Sequence, residues 1–359
     1  MTSNQRIEAF ANLAHQLLNE VQNPSTKIPS TEIQTLNEII QSSQFQNPWF
    51  TPGNVEQALQ ANLKLLNTAD LTAWIEPYSK YFQKVNDKTV GLILAGNIPM
   101  VGFHDVLSCL IAGFNVQIKP SSDDKLLIPY LLKRLIEIEP AFEAKINLVD
   151  RLSDFNLVIA TGSNNSSRYF EYYFKNIPHI IRKNRNSAAI ITGNESKSQL
   201  EKLGHDLFDY FGLGCRNVSK IFFPKGYDYS LFFEAIESFS PISNHFKYNN
   251  NYEYNKAIYL VNGDKHLDNG FLLLKEDNRF ASPLGVAYFE EYDSPSSVEA
   301  HLEENKDNIQ CIVCEEDIQK SDSMKNLRIP LTSFGTSQLP GLADYADGIN
   351  ILDFLKANS

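Results

Sequence analysis

Cys215 is the residue of this 359-residue sequence whose surroundings best suit nucleophilic chemistry. It follows Gly212 and Gly214 in the stretch FGLGCRN, and glycines allow the backbone to approach a ligand closely. Arg216 comes next, and a neighbouring guanidinium favours the thiolate, which is the nucleophilic form of cysteine. The alternative is a buried and chemically inert thiol, because free cysteine is among the most buried residue types. The residue types alone leave both interpretations open.

The other cysteines and the histidines indicate structural roles. Cys109 lies on the apolar face of a predicted helix, which favours a position in the core. Cys311 and Cys314 form a C-x-x-C pair, but the pair lies in the strand-like stretch IQCIVC and has no second cysteine pair to complete a metal site. The seven histidines show no metal-ligand spacing, and no G-x-S-x-G serine motif occurs. We therefore predict no metal site.

Three polar turns are suited to a ligand that carries phosphate. Each turn follows an apolar, strand-like run, and in an open parallel sheet ligands bind beyond the carboxyl ends of the strands. The turns cover residues 96–99, 119–122 and 161–164. The third opens a predicted helix, whose free N–H groups and dipole favour an anion, and Lys119 in the second could add a cation or contact a ribose. Ordinary strand–helix turns use the same residue types, so each signal is weak by itself.

The elements that must position these residues follow a regular order. Helical spacing of apolar residues is typical of the first 88 residues, as at Phe10, Leu13 and Leu17. From Thr89 onward, short apolar runs alternate with amphipathic stretches, which is the rhythm of parallel strands joined by helices. The same rhythm continues around Cys215. We therefore predict an α/β protein with two parallel-sheet domains after a helical N-terminal region.

Composition and charge narrow the function classes. Hydrophobic residues make up 43% and charged residues 21%, which are values of a globular protein. The formal net charge of −11 does not favour binding to nucleic acid or to an anionic membrane, and no basic run offsets it. The longest apolar stretch, at 90–103, contains Asn97 and Pro99, so we predict no membrane insertion. The polar N-terminus lacks the pattern of a secretory signal, and we expect a cytoplasmic protein.

Taken in order, these segments resemble the aldehyde dehydrogenase superfamily, and in particular its acyl-CoA reductase (LuxC-type) branch. VGLILAGNIPM is similar to the family's strand that ends in Asn-x-Pro, and CLIAGFNVQIKPSS to its ALAAGN-VVLKPSE segment. LVIATGSNNSSRYF resembles the FTGS turn with its helix, and GLGCRNVSKIFFP resembles the GQxC nucleophile loop with the strand after it. The resemblance extends over about residues 89–355.

The resemblance implies an aldehyde-dehydrogenase-like fold in four parts. A helical region at 1–88 would pack on a Rossmann-like NAD(P)-binding domain at 89–196. A catalytic domain at 197–330 would carry Cys215, and a C-terminal segment would return at 331–359. The chain is short for the superfamily, and a homodimer is the assembly that the resemblance suggests.

The resemblance also implies roles for individual residues. Cys215 would be the nucleophile, and Asn97 would donate a hydrogen bond to the oxyanion together with the backbone N–H of Cys215. Lys119 would contact the cofactor ribose. The remaining implied cofactor contacts are Ser121, Ser122, Thr161, Gly162 and Ser163.

Three departures from the family pattern bear on function. Hydrolytic members carry an acid that activates water, but no acid occurs here between Ile180 and Asn186. The acid that follows the KPS motif and binds the ribose diol is Ser122 here, which removes repulsion against a 2′-phosphate and favours NADPH, with NADH as the alternative. The FASPLGVAYFEEYDS stretch is similar to the family's EEIFGPV segment, but its glutamate is missing and Ser282 is the nearest residue.

We therefore predict an NADPH-dependent enzyme that reduces an acyl-CoA, with a fatty acyl group, to an aldehyde through an acyl-enzyme on Cys215. Another acyl thioester could replace acyl-CoA as substrate. One alternative is an NAD(P)-dependent aldehyde or semialdehyde dehydrogenase of the same fold. A second alternative, of a different class, is a catalytically silent relative that acts as an interaction subunit.

Five aromatic residues could line a tunnel that binds the acyl chain. They are Phe208, Tyr210, Phe211, Tyr172 and Tyr173. Aromatic residues at helical spacing more often belong to the core, and that interpretation carries the larger weight.

Overall fold

The computed structural model of the protein describes residues 1–22, 35–83 and 86–359. The chain divides into two compact units, each built from helices and a sheet. The predicted α/β class, with parallel sheets and a helical N-terminal region, is confirmed.

The first unit contains Met1–Lys183 together with two short C-terminal segments. Its helices are α1 (Ser3–Gln22), α2 (Leu36–Gln46), α3 (Pro52–Lys64), α4 (Thr68–Ile75), α5 (Ser79–Phe82), α6 (Phe103–Ile111), α7 (Leu127–Ile138) and α8 (Asn164–Phe174). Its strands are β1 (Thr89–Ile93), β2 (Asn115–Lys119), β3 (Ile146–Leu148), β4 (Leu157–Thr161) and β5 (His179–Arg182). The sheet has the order β3-β2-β1-β4-β5, and all of its strand pairs are parallel.

Apolar burial joins the N-terminal helices to this sheet. Phe10 and Leu17 of α1 are fully buried and belong to the same core as Val90 and Leu92 of β1. Arg6 is also buried, and its Nε donates to the carbonyl of Ile111 at the end of α6, 2.8 Å away. A buried guanidinium that satisfies backbone carbonyls in this way stabilises the contact between α1 and α6.

The second unit contains Asn184–Pro340 and Ala346–Gly348. Its helices are α9 (Lys197–Phe208), α10 (Tyr229–Ala235), α11 (Phe246–Asn262), α12 (Pro295–Asn305), α13 (Glu316–Gln319) and α14 (Asp322–Asn326). Its strands are β6 (Asn186–Ile190), β7 (Val218–Pro224), β8 (Leu267–Asp268), β9 (Leu273–Glu276), β10 (Val286–Tyr292), β11 (Ile309–Val313) and β12 (Leu331–Thr332). The order is β12-β11-β6-β7-β10-β9-β8, and only the β8–β9 pair is antiparallel. A last helix, α15 (Ile351–Ala357), returns to the first unit.

The boundary expected at residue 196 is placed too late. The strand β6 was expected in the cofactor domain, but it pairs with β7 and β11 of the second sheet, and the units divide at Lys183 and Asn184. The central alanines of β6, Ala188 and Ala189, are fully buried. A short apolar run indicates a buried strand, but it does not indicate which sheet contains that strand.

Candidate active site

The sheet of the first unit brings the three predicted turns to one edge. Ile93, the last residue of β1, lies in register with Lys119 of β2 on one side and with Ala160 of β4 on the other. The strand order changes direction between β1 and β4, and crevices at such switch points are where open α/β sheets bind their ligands. The three turns therefore begin side by side at the carboxyl edge of the sheet.

The turn after β1 is closely packed. A Cβ added to Gly96 would lie 2.5 Å from Ser121 Oγ and 2.6 Å from Ser121 Cβ, so only glycine fits against the turn after β2. Met100 adopts a left-handed conformation with φ of 61°. Its N–H donates to the buried carboxylate of Asp124 at 3.2 Å, and the N–H of Leu127 donates to the same carboxylate at 3.2 Å. Burial raises the pKa of Asp124 to about 6.

The turn after β4 leads directly into α8. Ser163 is the N-cap residue, and its Oγ accepts a hydrogen bond from the N–H of Ser166 at 3.2 Å. A Cβ on Gly162 would lie 2.9 Å from both Phe170 Cε2 and Ser166 Cβ, so a side chain at this position would collide with α8. The absence of a side chain at Gly162 therefore allows the turn to pack directly against the start of α8.

An ion pair that the sequence analysis missed lies close to this edge. Arg182, at the end of β5, binds Asp105 of α6 with an Nη1–Oδ2 distance of 2.6 Å, and both side chains are buried. Arg182 lies in the stretch between Ile180 and Asn186, in which no acid occurs. The two residues are 77 positions apart, so no local pattern could have predicted their pairing.

The loop that carries Cys215 belongs to the second unit and begins with a left-handed run of backbone. Tyr210 and Phe211, which follow α9, have φ angles of 53° and 59°, and Gly212 has 77°. A left-handed conformation costs a residue other than glycine about 1–2 kcal/mol. Because two such residues occur in succession, the loop must be held by contacts elsewhere.

The side chain of Asn217 provides three of the contacts that hold the loop. Its side chain is 3% exposed, and its Oδ1 accepts from the N–H of Gly214 at 2.8 Å. Its Nδ2 donates to the carbonyls of Asp206 and Asp209, at 3.1 and 2.9 Å. The Asn217 side chain therefore fastens the loop that carries Cys215 to the end of α9.

Ser187 holds the loop from the side of the sheet. Its Oγ donates to the carbonyl of Cys215 at 3.0 Å and accepts from the N–H of Cys311 at 3.2 Å. Ser187 lies on β6 and Cys311 on β11, so the backbone of Cys215 is linked to two neighbouring strands. Neither Asn217 nor Ser187 carries a sequence signal, because serine and asparagine are ordinary turn and strand-end residues.

Of the four cysteines, Cys215 is the one whose side chain is partly exposed. Cys109, Cys311 and Cys314 are buried. Burial raises the pKa of Cys109 well above its ordinary value, that of Cys311 to about 11 and that of Cys314 to about 12. Buried thiols with raised pKa values are poor nucleophiles, so Cys215 is the cysteine available for chemistry.

A cavity of about 220 Å³ adjoins the loop that carries Cys215. Phe208, Phe211 and Leu213 line it from the loop side, and Ser282 and Leu284 line it from the segment before β10. Ser282, the residue nearest to the missing family glutamate, donates its Oγ proton to the carbonyl of Val286 at 2.6 Å.

The aromatic residues considered for a tunnel divide into three groups. Phe208 and Phe211 line the cavity, whereas Tyr210 is buried outside its lining. Tyr172 and Tyr173 are 68% and 70% exposed on α8. Only two of the five aromatic residues, Phe208 and Phe211, therefore line the cavity.

Comparison with known proteins identifies the relatives of this chain. The model of the acyl-CoA reductase (LuxC) family matches residues 2–172. The resemblance to LuxC-type acyl-CoA reductases is confirmed. No curated protein matches the chain in sequence.

Solved structures confirm the aldehyde-dehydrogenase-like fold. A structure assigned as an aldehyde dehydrogenase of Burkholderia cenocepacia aligns with a TM-score of 0.69 at 12% identity, over 96% of this chain and 80% of that one. The Mycobacterium tuberculosis aldehyde dehydrogenase complexed with NAD⁺ aligns with a TM-score of 0.65 at 13% identity, over 93% and 77%. The NAD⁺ complex of the Bacillus cereus enzyme aligns with the same score and identity, over 93% and 76%. Together with the family match, this fold supports an oxidoreductase.

In this LuxC-like chain, the predicted oxyanion and cofactor residues all lie in the first unit and are exposed or half-buried. They are Asn97, Lys119, Ser121, Ser122, Thr161, Gly162 and Ser163. Cys215 lies in the second unit. Among the described residues, no helix is both long and apolar enough to cross a membrane.

Proposed function

We propose that this protein reduces an acyl-CoA thioester to an aldehyde with NADPH, through an acyl-enzyme on Cys215. The observation that carries the proposal is the partly exposed thiol of Cys215, on a loop held by Asn217 and Ser187. Residues 2–172 of the same chain match the LuxC family. The other three thiols are buried and are unsuited to attack.

The chemistry of the first unit fits a dinucleotide cofactor. Gly96 and Gly162 lie where a Cβ would collide with the neighbouring turn or helix. At these two positions the carboxyl edge of the sheet therefore presents backbone atoms rather than side chains. Lys119 ends β2 at the same edge, where it would contact the ribose. The nicotinamide, when bound, would supply the hydride that reduces the thioester.

The chain's own residues account for the rest of the reaction. The Cys215 thiolate would attack the thioester carbonyl, and the C–S bond to CoA would break, which leaves the acyl group on Cys215 and releases CoA as its thiolate. Asn97 would donate to the oxyanion, and a donor of this kind typically contributes about 3 kcal/mol. No acid between Ile180 and Asn186 activates water, so the acyl-enzyme would persist until it is reduced.

The experiment that tests the proposal combines turnover with thiol labelling. We would follow NADPH oxidation at 340 nm with acyl-CoAs of several chain lengths, using wild type and Cys215→Ala, and we would identify the product. We expect oxidation that requires both the thioester and Cys215, with aldehyde as product. In parallel, iodoacetamide labelling followed by mass spectrometry should modify Cys215 in preference to the three buried cysteines.

Several outcomes would overturn the proposal. Undiminished turnover by Cys215→Ala would remove the nucleophile assignment. Oxidation of aldehydes to free acids by NAD⁺, with no reaction of thioesters, would establish the dehydrogenase alternative. An unreactive Cys215 with no turnover in either direction would favour the interaction subunit.

A further inference from the structure

Asp206, a residue of α9 in the second unit, carries a carboxylate that is fully buried. Its Oδ2 accepts a hydrogen bond from the N–H of Gly335 at 2.6 Å, and its Oδ1 accepts one from the N–H of Ser337 at 2.9 Å. Both donors lie in the turn at 333–338, which follows β12. The carboxylate therefore binds the backbone of a segment that lies 129 to 131 positions further along the chain.

The turn at 333–338 packs closely against α9. Phe334 is buried in the same hydrophobic core as Leu203 and Leu207 of that helix. Gly335 has a φ of 81°, and a Cβ at this position would lie 3.1 Å from Lys202 Cβ and 3.2 Å from the Lys202 carbonyl oxygen, so the close approach requires glycine. Apolar packing therefore docks the turn on α9, and the two hydrogen bonds to the Asp206 carboxylate fix its position there.

The backbone of Asp206 contacts the loop that carries Cys215. Its carbonyl accepts a hydrogen bond from Asn217 Nδ2 at 3.1 Å, and Asn217 Oδ1 accepts one from the N–H of Gly214 at 2.8 Å. Gly214 directly precedes Cys215. One residue therefore holds the turn at 333–338 with its carboxylate and the loop that carries Cys215 with its carbonyl.

Electrostatic interactions also place Asp206 in the neighbourhood of Cys215. Burial raises the pKa of the Cys311 thiol to about 11, Arg216 opposes this shift, and Cys215 and Asp206 both add to it. Burial raises the pKa of Asp206 itself to about 6, although its backbone hydrogen bonds oppose the shift. A buried carboxylate is costly to the fold, and one with a shifted pKa beside a reactive group marks a candidate functional residue.

We propose that Asp206 is a positioning residue for the reaction of Cys215, because it links the turn at 333–338 to the loop that carries the thiol. The inference rests on the proposed function, since it concerns where the acyl group on Cys215 lies when it is reduced. Asp206 acts through Asn217 and Gly214 rather than on the acyl group itself. Without this link the acyl group would lie less often in the position where it is reduced.

The products formed by Asp206→Asn with acyl-CoA and NADPH test the inference. Asparagine keeps the size of the side chain and the backbone carbonyl, but it offers one oxygen to two N–H donors. Reduction of the Cys215 thioester by hydride and a proton gives aldehyde and the free thiol, whereas hydrolysis by water gives the carboxylic acid and the same thiol. We expect the ratio of acid to aldehyde to rise about tenfold, since a hydrogen bond to a charged group contributes about that much. This ratio is counted per turnover, so a partly unfolded sample does not change it.

Hydrogen exchange followed by mass spectrometry tests the link without any substrate. In Asp206→Asn, peptides that cover 333–338 and peptides that cover 211–218 should both exchange about tenfold faster than in the wild type. Asn217→Ala breaks the same link from the other side, so it should also speed exchange at 333–338. This second variant keeps the test decisive if Asp206→Asn does not fold.

Asp307→Asn is the matched control. Asp307 is an exposed aspartate of the second unit whose side chain forms no hydrogen bond to the described residues. The same chemical change at this position should alter neither the product ratio nor the exchange of the two segments.

An unchanged product ratio in Asp206→Asn would overturn the inference. Faster exchange confined to 333–338 would also overturn it, because Asp206 would then hold only that turn. Faster exchange throughout the second unit would assign Asp206 to the stability of the fold and would overturn the inference as well. If the wild type showed no turnover while both segments responded in the exchange experiment, the proposed reaction would be refuted and the link through Asp206 would stand.

Discussion

Replacing Asn217 with alanine would release the loop that carries Cys215. The change removes three hydrogen bonds: one accepted from the N–H of Gly214, and two donated to the carbonyls of Asp206 and Asp209. Each is worth about 1 kcal/mol net, so the opening free energy of the loop should fall by about 3 kcal/mol. The left-handed residues Tyr210 and Phe211 would add to the effect, because their strain is then no longer opposed.

Hydrogen exchange followed by mass spectrometry measures this opening of the loop directly. A loss of about 3 kcal/mol corresponds to about a hundredfold faster exchange in peptides that cover residues 206–218. The rate of Cys215 alkylation by iodoacetamide should change in the same variant, because the thiol is no longer held in one position. Peptides from the first unit should exchange at their wild-type rates.

Asn250→Ala is the control for Asn217→Ala. It makes the same chemical change at an exposed position of α11 where the side chain forms no hydrogen bond to the described residues, and it should alter stability by less than about 0.5 kcal/mol. If Asn217→Ala exchanged as slowly as this control, the three hydrogen bonds would not hold the loop, and the argument for a fixed nucleophile would be refuted.

Two further predictions concern the first unit. Gly96→Ala would place its Cβ 2.5 Å from Ser121 Oγ, so it should lower stability by about 1–3 kcal/mol and weaken 5′-AMP binding. Gly53→Ala is the control, because its Cβ would meet nothing within 4 Å and neither property should change. Equal melting temperatures for the two variants would contradict the packing argument. Burial raises the pKa of Asp124 to about 6 from an unfolded value of about 3.8, so its contribution to stability is present at low pH and is lost as pH rises through 6. Asp124→Asn should therefore gain stability relative to wild type between pH 4.5 and 7 in thermal unfolding, and parallel profiles would contradict the shift.

Local pattern was sufficient for much of the fold. Short apolar runs predicted strands such as β1, β4 and β7. Helix α11 shows where pattern fails. Its buried face is formed by Tyr248, Tyr252, Asn255 and Tyr259 rather than by aliphatic residues, so the hydrophobic periodicity that reveals most helices is weak there.

The sequence by itself determined the α/β class and the turns at the strand ends, because each depends on residues close together in the chain. It made Cys215 the best candidate nucleophile but left its role open. Only the tertiary structure decided that β6 belongs to the second sheet and that Asn217 and Ser187 hold the loop that carries Cys215. Sheet pairing and buried polar contacts join residues that are distant in sequence, and their energy depends on burial and geometry that exist only after folding.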